Sequence, residues 1–320
     1  MYEWIAKLTT GEGQGWLWQK VLSLLPVRIV FGLCSILAYF TMFAARKGIL
    51  AQISCNMADL LGPMSTAQLQ LLTRQYVCNA MITLYEIIFL SKRLPPLAAK
   101  LFQVDGEAHL EEALKQANGK GFIVYTPHVG NFFYYYWYLS RKYDCLTVAS
   151  AGSPELRPMY LQFQAMGCQG LDYDSMPPLE LYRTLKKHVN RGGVVFLLGD
   201  FWRPSFPVSR FFGRMTRTPE GAAMLTLEQK VPIVPMHGYR RRDGKHRLVF
   251  HEPLVYSQSN ALNGRQARAE VNVELNRFME NVIREHPASW FYWFNAHERW
   301  EQEADIRDVG DSKLVESAVS

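Results

Sequence analysis

Short apolar runs alternate with longer amphipathic segments through the centre of this 320-residue chain. Apolar runs of a few residues bounded by turn residues are typical of buried strands, whereas apolar residues that recur every three to four positions are typical of helices. Strands that alternate with helices predict an α/β fold with a mostly parallel central sheet flanked by helices. The predicted strands are residues 122–125, 146–149, 194–198 and 231–236, and the predicted helices around them are 107–118, 178–190 and 267–286.

A long helix is predicted over residues 65–93, before the first of these strands. Ser65 followed by Gln68 forms a capping box, in which each side chain satisfies a free backbone N–H at the start of a helix. Apolar residues then recur at helical spacing. Pro95 and Pro96 are predicted to end the helix, because proline has no N–H to continue the hydrogen-bond ladder.

Two further strands are predicted at the edge of the sheet, over residues 248–250 and 254–256. They follow the turn at Asp243-Gly244. The basic run 240–242 comes just before that turn, and we interpret it as a solvated hairpin tip. Docking of an acidic carrier or of lipid phosphates is the alternative.

The N-terminal region contains an uncharged apolar stretch, residues 29–45, with basic residues on both sides and Trp4, Trp16 and Trp18 upstream. Interfacial tryptophans and flanking cations are typical of membrane anchors. A spanning helix needs about 20 apolar residues, so a spanning helix, an interfacial helix and a core helix all stay open. We predict a membrane-anchoring segment at 1–50, an α/β domain at 51–303 and a polar tail at 304–320.

The charge balance narrows the choice of partners. The chain has a formal net charge of +6 and a sequence pI near 9.0, which suits anionic lipid head groups or an acidic carrier protein. No zinc-finger spacing, helix-turn-helix signal or RNA-binding aromatic motif accompanies the positive charge, so we expect no nucleic acid. The five cysteines are scattered, with no Cys-x-x-Cys pair, and indicate reduced thiols and no metal site.

His128 is the first candidate for chemistry. Thr126 and Pro127 end the predicted strand 122–125, which delivers His128 onto the following turn, and Gly130 allows close approach of the backbone. A histidine on a turn after a strand is well placed to act as a general base. The alternative is a structural turn histidine.

The same segment resembles the signature of the lipid A late acyltransferases, within the lysophospholipid acyltransferase superfamily. His128, Gly130 and Asn131 match the His-x-Gly-Asn core of that signature, but Phe133 occupies the position where the family carries Asp or Glu. Further blocks match in the same order, at residues 191–200, 210–221, 231–235 and 286–300.

The resemblance implies an acyltransferase that needs no cofactor and takes an acyl thioester, on acyl carrier protein or coenzyme A, as co-substrate. The acceptor would be a hydroxyl or amine of a lipid-like molecule. It also implies an N-terminal anchor in the bacterial inner membrane, with the catalytic domain on the cytoplasmic side. The chain has no Gly-x-Ser-x-Gly elbow, which favours direct attack on the thioester without a covalent enzyme intermediate.

Asp200 is the predicted partner of His128, since Phe133 cannot orient an imidazole. Asp200 follows the predicted strand 194–198, and the carboxyl ends of parallel strands gather at one edge of a sheet. A carboxylate there would fix the tautomer of His128 and stabilise the imidazolium. The alternative is that Asp200 only caps the turn before Trp202. The weaker candidates for the acid lie in loop-like stretches and are Asp144, Asp172 and Asp174.

Substrate-binding roles are predicted for Asn131, Arg157, Arg203, Phe211 and Phe212. The resemblance implies an arginine donor to the oxyanion, with Arg157 the nearest candidate and Arg203 the second; either could instead bind a phosphate or lie solvated on the surface. The phenylalanine pair could line an acyl channel or pack the core. The aromatic run 134–138 is interpreted as core packing, with an acyl groove as the alternative.

Two rival functions remain at this point. Loss of the usual acid at Phe133 suggests a member that acylates a different acceptor, such as a glycolipid, an aminolipid or a secondary metabolite. The second rival is a degenerate relative that binds lipid or a carrier without turnover.

Overall fold

A seven-stranded sheet forms the centre of the computed structural model, which describes residues 24–44, 48–150, 157–256 and 264–301. The strands are β1 Phe102–Asp105, β2 Ile123–Thr126, β3 Cys145–Ala149, β4 Gln169–Asp172, β5 Val194–Leu198, β8 Ile233–Arg240 and β9 His246–Phe250, and a separate hairpin is formed by β6 Val208–Phe211 and β7 Arg214–Arg217. The spatial order is β1-β9-β8-β2-β5-β3-β4, and all neighbours are parallel except β8 and β9. The predicted α/β fold with a mostly parallel sheet is confirmed.

Helices cover both faces of this sheet, as the alternating sequence pattern requires. They are α1 Val27–Ala44, α2 Ile49–Leu61, α3 Thr66–Tyr85, α4 Leu94–Leu101, α5 Glu107–Gln116, α6 Phe132–Ser140, α7 Arg157–Ala165, α8 Pro178–Asn190, α9 Gly221–Gln229 and α10 Gly264–Glu285. One hydrophobic core lies between the sheet and α2, α3, α8, α9 and α10. A second core, on the opposite face, contains residues of α4, α5, α6 and α7.

The predicted helix over 65–93 begins as expected but does not continue unbroken. Ser65 and Gln68 form the predicted capping box. After α3 the chain passes into a π-helical turn, Glu86–Leu90, and a short 3-10 turn, Ser91–Arg93. The prediction that the prolines end a helix is wrong, because they lie in the first turn of α4. Backbone N–H groups in the first turn of a helix have no acceptor within the helix, so proline, which lacks an N–H, fits there without loss of a hydrogen bond.

Strand β9 lies inside the sheet, between β8 and β1, so the prediction of an edge strand at 248–250 is wrong. The half-buried strand β1 was not predicted, and it covers that edge. Beyond β9, Leu254 makes only an isolated bridge to Ile233, so the predicted strand at 254–256 does not form.

Helix α1 occupies most of the predicted apolar stretch and packs against α3. Among the described helices, none combines the length and apolar character needed to cross a bilayer. The three upstream tryptophans and the predicted tail 304–320 lie outside the described residues.

The last residues that the structure describes form short 3-10 turns, and these lie against the sheet. These are Pro287–Ser289, Phe291–Phe294 and Ala296–Arg299. We call residues 286–300 the C-terminal segment. Trp290, within it, forms a bridge to Val129 beside the end of β2.

Candidate active site

His128 and Asp200 meet at the carboxyl edge of the sheet. Strands β2 and β5 are parallel neighbours, with Thr126 opposite Leu198, so each residue stands two positions beyond the end of its strand. His128 Nδ1 lies 2.6 Å from Asp200 Oδ1. The juxtaposition predicted from two strand ends is present in the fold.

The turn that carries His128 depends on Gly130. Its φ of 69° lies in the left-handed region, which side chains disfavour. A Cβ atom there would lie 2.7 Å from the carbonyl oxygen of Gly238 and 2.2 Å from the hydroxyl of Tyr135. A larger residue would therefore push the His128 turn away from the sheet.

Asp200 is fully enclosed and surrounded by hydrogen-bond donors. The backbone N–H of His128 donates to both carboxylate oxygens at 3.0 Å, and Trp290 Nε1 donates to Oδ2 at 2.7 Å. Burial raises the pKa of Asp200, but His128, Trp290 and Arg299 outweigh burial and hold the pKa below its ordinary value. The carboxylate is therefore ionised at neutral pH, and it assigns the imidazole proton of His128 to Nδ1.

Arg299 contacts both Asp200 and the aromatic rings next to it. Its Nη1 donates to the backbone carbonyl of Asp200 at 3.3 Å, and its guanidinium carbon lies 5.3 Å from the ring centroid of Trp290 and 4.9 Å from that of Tyr292. The side chain is buried, and burial lowers the pKa of its guanidinium while the Asp200 charge opposes that shift. Arg299 and Trp290 belong to the C-terminal block found in the sequence, but no role could be assigned to them there.

Aromatic rings enclose the remaining faces of His128. The rings of Phe132 and Tyr292 meet it edge-on, each with a centroid distance of 4.8 Å. Phe133, at the family's acid position, instead stacks on Phe132 and packs at a tilt against Phe163. The His128 side chain keeps 11% of its surface exposed. Its Nε2 has no hydrogen bond to any residue that the structure describes, so this nitrogen is available to a ligand.

Asn131 lies beside the dyad but inside the protein. Its Oδ1 accepts from the backbone N–H of Tyr134 at 3.3 Å and so caps α6. Its Nδ2 donates to Glu86 Oε2 at 2.9 Å. The side chain is fully buried, and its predicted role in substrate binding stays a prediction.

The two candidate arginines lie in different places. Arg157 is exposed at the first residue of α7 and has no described contact with His128. Arg203 donates to Asp174 Oδ1 at 3.3 Å and to Ser150 Oγ at 3.2 Å, and its guanidinium lies over the ring of Phe201.

The Arg203 charge also reaches the hydroxyl of Tyr292, whose ring touches His128. Burial raises the pKa of Tyr292 and the Asp200 charge adds to that shift, while Arg299 and Arg203 oppose it. Among the described residues neither arginine contacts His128, and Arg203 differs from Arg157 only in this effect, the smallest of the four, on the pKa of Tyr292.

Phe211 and Phe212 pack behind Trp290, with ring centroids 6.3 Å and 6.2 Å from it. Phe212 adopts a positive φ of 53°, and its backbone N–H donates to Glu280 at 2.7 Å. The aromatic run on α6 is largely buried in the second core, which confirms core packing for that stretch.

A buried ion cluster of Glu86, Arg240 and His246 was missed by the sequence analysis. Arg240 Nη2 lies 2.6 Å from Glu86 Oε2, and His246 Nε2 lies 3.1 Å from Glu86 Oε1. The interpretation of Arg240 as part of a solvated tip is therefore wrong, because only Arg241 and Arg242 of that run are on the exposed turn. The pKa of Glu86 is far below its ordinary value, because Arg240 and His246 outweigh the opposing effect of burial.

Comparison with known proteins agrees with this architecture. Residues 11–302 match the profile of a family described as bacterial lipid A biosynthesis acyltransferase. The chain belongs to this acyltransferase family.

The relatives found include proteins named phosphatidylinositol mannoside acyltransferase. The one from Mycobacterium tuberculosis is 30% identical over 196 residues, which cover 58% of this chain and 57% of that protein. The one from Mycolicibacterium smegmatis is 30% identical over 189 residues, covering 57% of this chain and 58% of that protein. The chain thus spans a little over half the length of the curated relatives that it matches.

Proposed function

We propose that this protein transfers a fatty acyl chain from an acyl thioester, on acyl carrier protein or coenzyme A, to a hydroxyl or amine of a lipid-like acceptor. One observation carries the proposal: the enclosed Asp200 carboxylate fixes one nitrogen of His128 at 2.6 Å and leaves the opposite nitrogen open. A carboxylate-oriented imidazole is typical of a general base. Membership in an acyltransferase family supports the reaction class.

In the proposed reaction the acceptor attacks the thioester carbonyl directly. His128 Nε2 takes the proton of the acceptor as the new C–O or C–N bond forms. The tetrahedral intermediate then loses the thiolate by C–S cleavage, and the imidazolium returns its proton to that leaving group. Asp200 stabilises the imidazolium between these two steps.

Arg203 is the better-supported donor to the developing oxyanion. It lies three residues after Asp200 in the chain, and its charge opposes the rise in the pKa of Tyr292, whose ring lies beside His128. A cation at that position would stabilise negative charge on the carbonyl oxygen, which is the largest contribution in most acyl transfers. Arg157, exposed on α7, is better suited to a phosphate of the donor.

A sugar hydroxyl of a glycolipid is the acceptor that we favour. The relatives reported above carry phosphatidylinositol mannosides in their names. The aromatic rings at 4.8 Å from His128 provide flat apolar surfaces of the kind on which sugar rings stack. Such an acceptor carries a hydroxyl of the type that the open His128 nitrogen could deprotonate.

Helix α1 would hold the enzyme at the bilayer surface where such acceptors reside. Five of its large apolar residues recur every three to four positions and are each more than half exposed: Ile29, Leu33, Ile36, Phe40 and Phe43. An exposed apolar stripe of this kind marks an interaction surface, and a helix that lies in the membrane interface would bury it. We propose attachment to the cytoplasmic face of the bacterial inner membrane by this helix.

The decisive test is the lipid content of cells that carry the gene intact, deleted or with His128→Ala. Mass spectrometry of total lipids is expected to show one species that loses a single acyl unit in both altered strains. Loss of a positioned general base typically lowers turnover by about a hundredfold to ten-thousandfold. His297→Gln is the matched control, because this exposed histidine has no described contact with His128 or Asp200; its ring Nδ1 lies 3.3 Å from the Asn56 amide.

A protein that is folded and abundant but leaves every lipid unchanged on His128→Ala would contradict acyl transfer by this base. It would favour the degenerate, lipid-binding alternative. The same extracts, incubated with purified protein and either acyl-coenzyme A or acyl carrier protein thioester, would identify the donor.

A further inference from the structure

A cluster of titratable side chains lies where the end of α10 packs against β8. His237 is on β8, Glu285 is the last residue of α10, and His286 follows it. One ligand atom from each of these three residues lies within 4.8 Å of the other two. A further imidazole, His251, has its Nε2 at 3.0 Å from His237 Nδ1. The proposed acyl transfer uses none of these groups.

One atom of this cluster lacks the partner that burial demands. His286 Nε2 is enclosed and forms no hydrogen bond within the part of the chain that the structure describes. Its nearest carboxylate oxygen, Glu285 Oε1, is 3.7 Å away, which is too far for a hydrogen bond. A buried polar atom without a partner destabilises the fold, so this nitrogen points to a missing ligand.

The electrostatics of the cluster favour a bound cation. Glu285 contributes a carboxylate, and the carboxyl end of a 22-residue helix contributes a partial negative charge. The buried His237 ring has its Nδ1 at 3.0 Å from His251 Nε2, so its Nε2 is the atom left for a metal ion. The nearby Arg247 guanidinium is paired with Asp105.

We propose that His237, Glu285 and His286 bind a divalent transition metal ion, with zinc the best match, and that His251 orients His237 by a hydrogen bond. Two imidazoles and one carboxylate are typical zinc ligands, whereas magnesium and calcium prefer sets of oxygen atoms. Tetrahedral zinc with bonds of about 2.1 Å separates its ligand atoms by about 3.4 Å. The distance from Glu285 Oε1 to His286 Nε2, 3.7 Å, is close to this value, and the Glu285 side chain, 67% exposed, leaves an entry path for the ion.

This metal would act as a structural cross-link near the catalytic turn. The backbone N–H of Ser289 donates to the carbonyl of His286 at 3.0 Å, and the Ser289 carbonyl accepts from the N–H of Gly130 at 2.9 Å. The next residue, Trp290, holds Asp200. Binding at His286 would therefore fix the start of the C-terminal segment, and this inference does not depend on the acyl-transfer proposal.

The test uses the full chain, purified without a histidine tag, stripped with a chelator and titrated with zinc ions by calorimetry. We expect one zinc ion per chain and a rise of the thermal midpoint by about 5 °C once zinc exceeds its Kd about a hundredfold. Loss of a ligand should cost at least as much as loss of an outer-shell partner, so His286→Gln is expected to weaken zinc binding by about a hundredfold or more, and Glu285→Gln by about tenfold or more. Magnesium at the same concentration should neither bind nor stabilise.

His297 and Glu298 are consecutive exposed residues outside the cluster, so they provide the matched control. His297→Gln and Glu298→Gln make the same chemical changes as the two test variants. These variants should retain wild-type zinc affinity. Circular dichroism of the chelated proteins checks that each variant folds. A folded His286→Gln protein with unchanged affinity, or wild-type protein with no more zinc than chelated controls, would overturn the proposal.

Discussion

The described part of the chain contains a buried carboxylate–imidazole pair at the edge of the sheet and another inside the protein, and the two differ in how accessible the imidazole is. In the first pair, Asp200 with His128, the carboxylate is enclosed and the imidazole keeps 11% of its side chain exposed. In the second, Glu86 with His246, the exposed fractions are 5% and 0%. The pair at the sheet edge thus has a nitrogen that can be reached from outside, whereas the unpaired Nδ1 of His246 is enclosed in the protein.

The neutralisation of charge differs as well. Glu86 receives a bidentate guanidinium from Arg240, so its charge is matched by a fixed cation. Asp200 receives only N–H donors on its oxygens, while Arg299 contacts its backbone carbonyl. The Asp200 charge therefore remains available to an imidazolium that forms during a reaction. A carboxylate already matched by arginine has little further stabilisation to offer.

Replacing Asp200 by Asn should give the largest effect on activity. An Asn amide can donate to His128 Nδ1 and so place the imidazole proton on Nε2, where the base is needed. We expect a loss of about a thousandfold or more in turnover, measured with acyl thioester and lipid extract. Asp144→Asn, an exposed change near the opposite end of the strands, is the control. Normal turnover in a folded Asp200→Asn protein would rule out the dyad.

Replacing Glu86 by Gln should have its main effect on stability. The change leaves the buried Arg240 guanidinium without a counter-charge, which typically costs about 3–5 kcal/mol. Denaturant unfolding would measure this loss. Glu107→Gln removes the surface pair with Lys142 and should cost at most about 1 kcal/mol. Equal losses in the two variants would show that the ion cluster is not the structural element inferred here.

The sequence predicted the first pair and missed the second for a physical reason. His128 and Asp200 each follow a recognisable apolar strand, and parallel pairing brings the ends of neighbouring strands together. Glu86 lies within an amphipathic helix pattern, and Arg240 lies in a basic run beside a turn. Their encounter depends on where the π-helical turn after α3 comes to lie beside the last residue of β8, which no local pattern encodes.

The same limit applies to the C-terminal segment and to the histidine cluster. Trp290 and Arg299 lie about 90 and 99 positions beyond Asp200 along the chain, and their contacts with it require the completed sheet edge. His237 and His286 come together only where α10 ends against β8. A chain-wide search for histidines could have named these residues but could not have paired them.

Trp290→Phe tests how far the hydrogen bond from the indole N–H contributes to the low pKa of Asp200. It removes the indole N–H that helps to hold the pKa of Asp200 below its ordinary value, so the folded-state pKa should rise. A depressed Asp pKa stabilises the fold above the unfolded-state value and loses that effect as pH falls through the folded-state value. The variant should therefore lose about 1.5–3 kcal/mol at neutral pH, and the difference from wild type should shrink below pH of about 4.

Trp293→Phe is the matched control for that experiment. Trp293 Nε1 donates to the neutral carbonyl of Pro287 at 2.6 Å, so the same substitution removes a hydrogen bond without touching a titrating group. Its stability difference from wild type should not change with pH. Thermal midpoints of the three proteins across the acid range give the answer, and parallel curves for both variants would contradict the role assigned to Trp290.

The smallest expected effect on stability comes from replacing the capping residues of two helices, which lie in different surroundings. Ser65 caps α3 at the surface, and Ser65→Ala should cost about 1 kcal/mol with no change in activity. Asn131 caps α6 and also donates to Glu86, so it connects the His128 turn to the ion cluster. Asn131→Ala should cost more than Ser65→Ala, because it removes both the cap and a hydrogen bond to a buried carboxylate. Denaturant unfolding and turnover of the two variants test this: equal costs, with activity intact in both, would mean that the two buried pairs act independently.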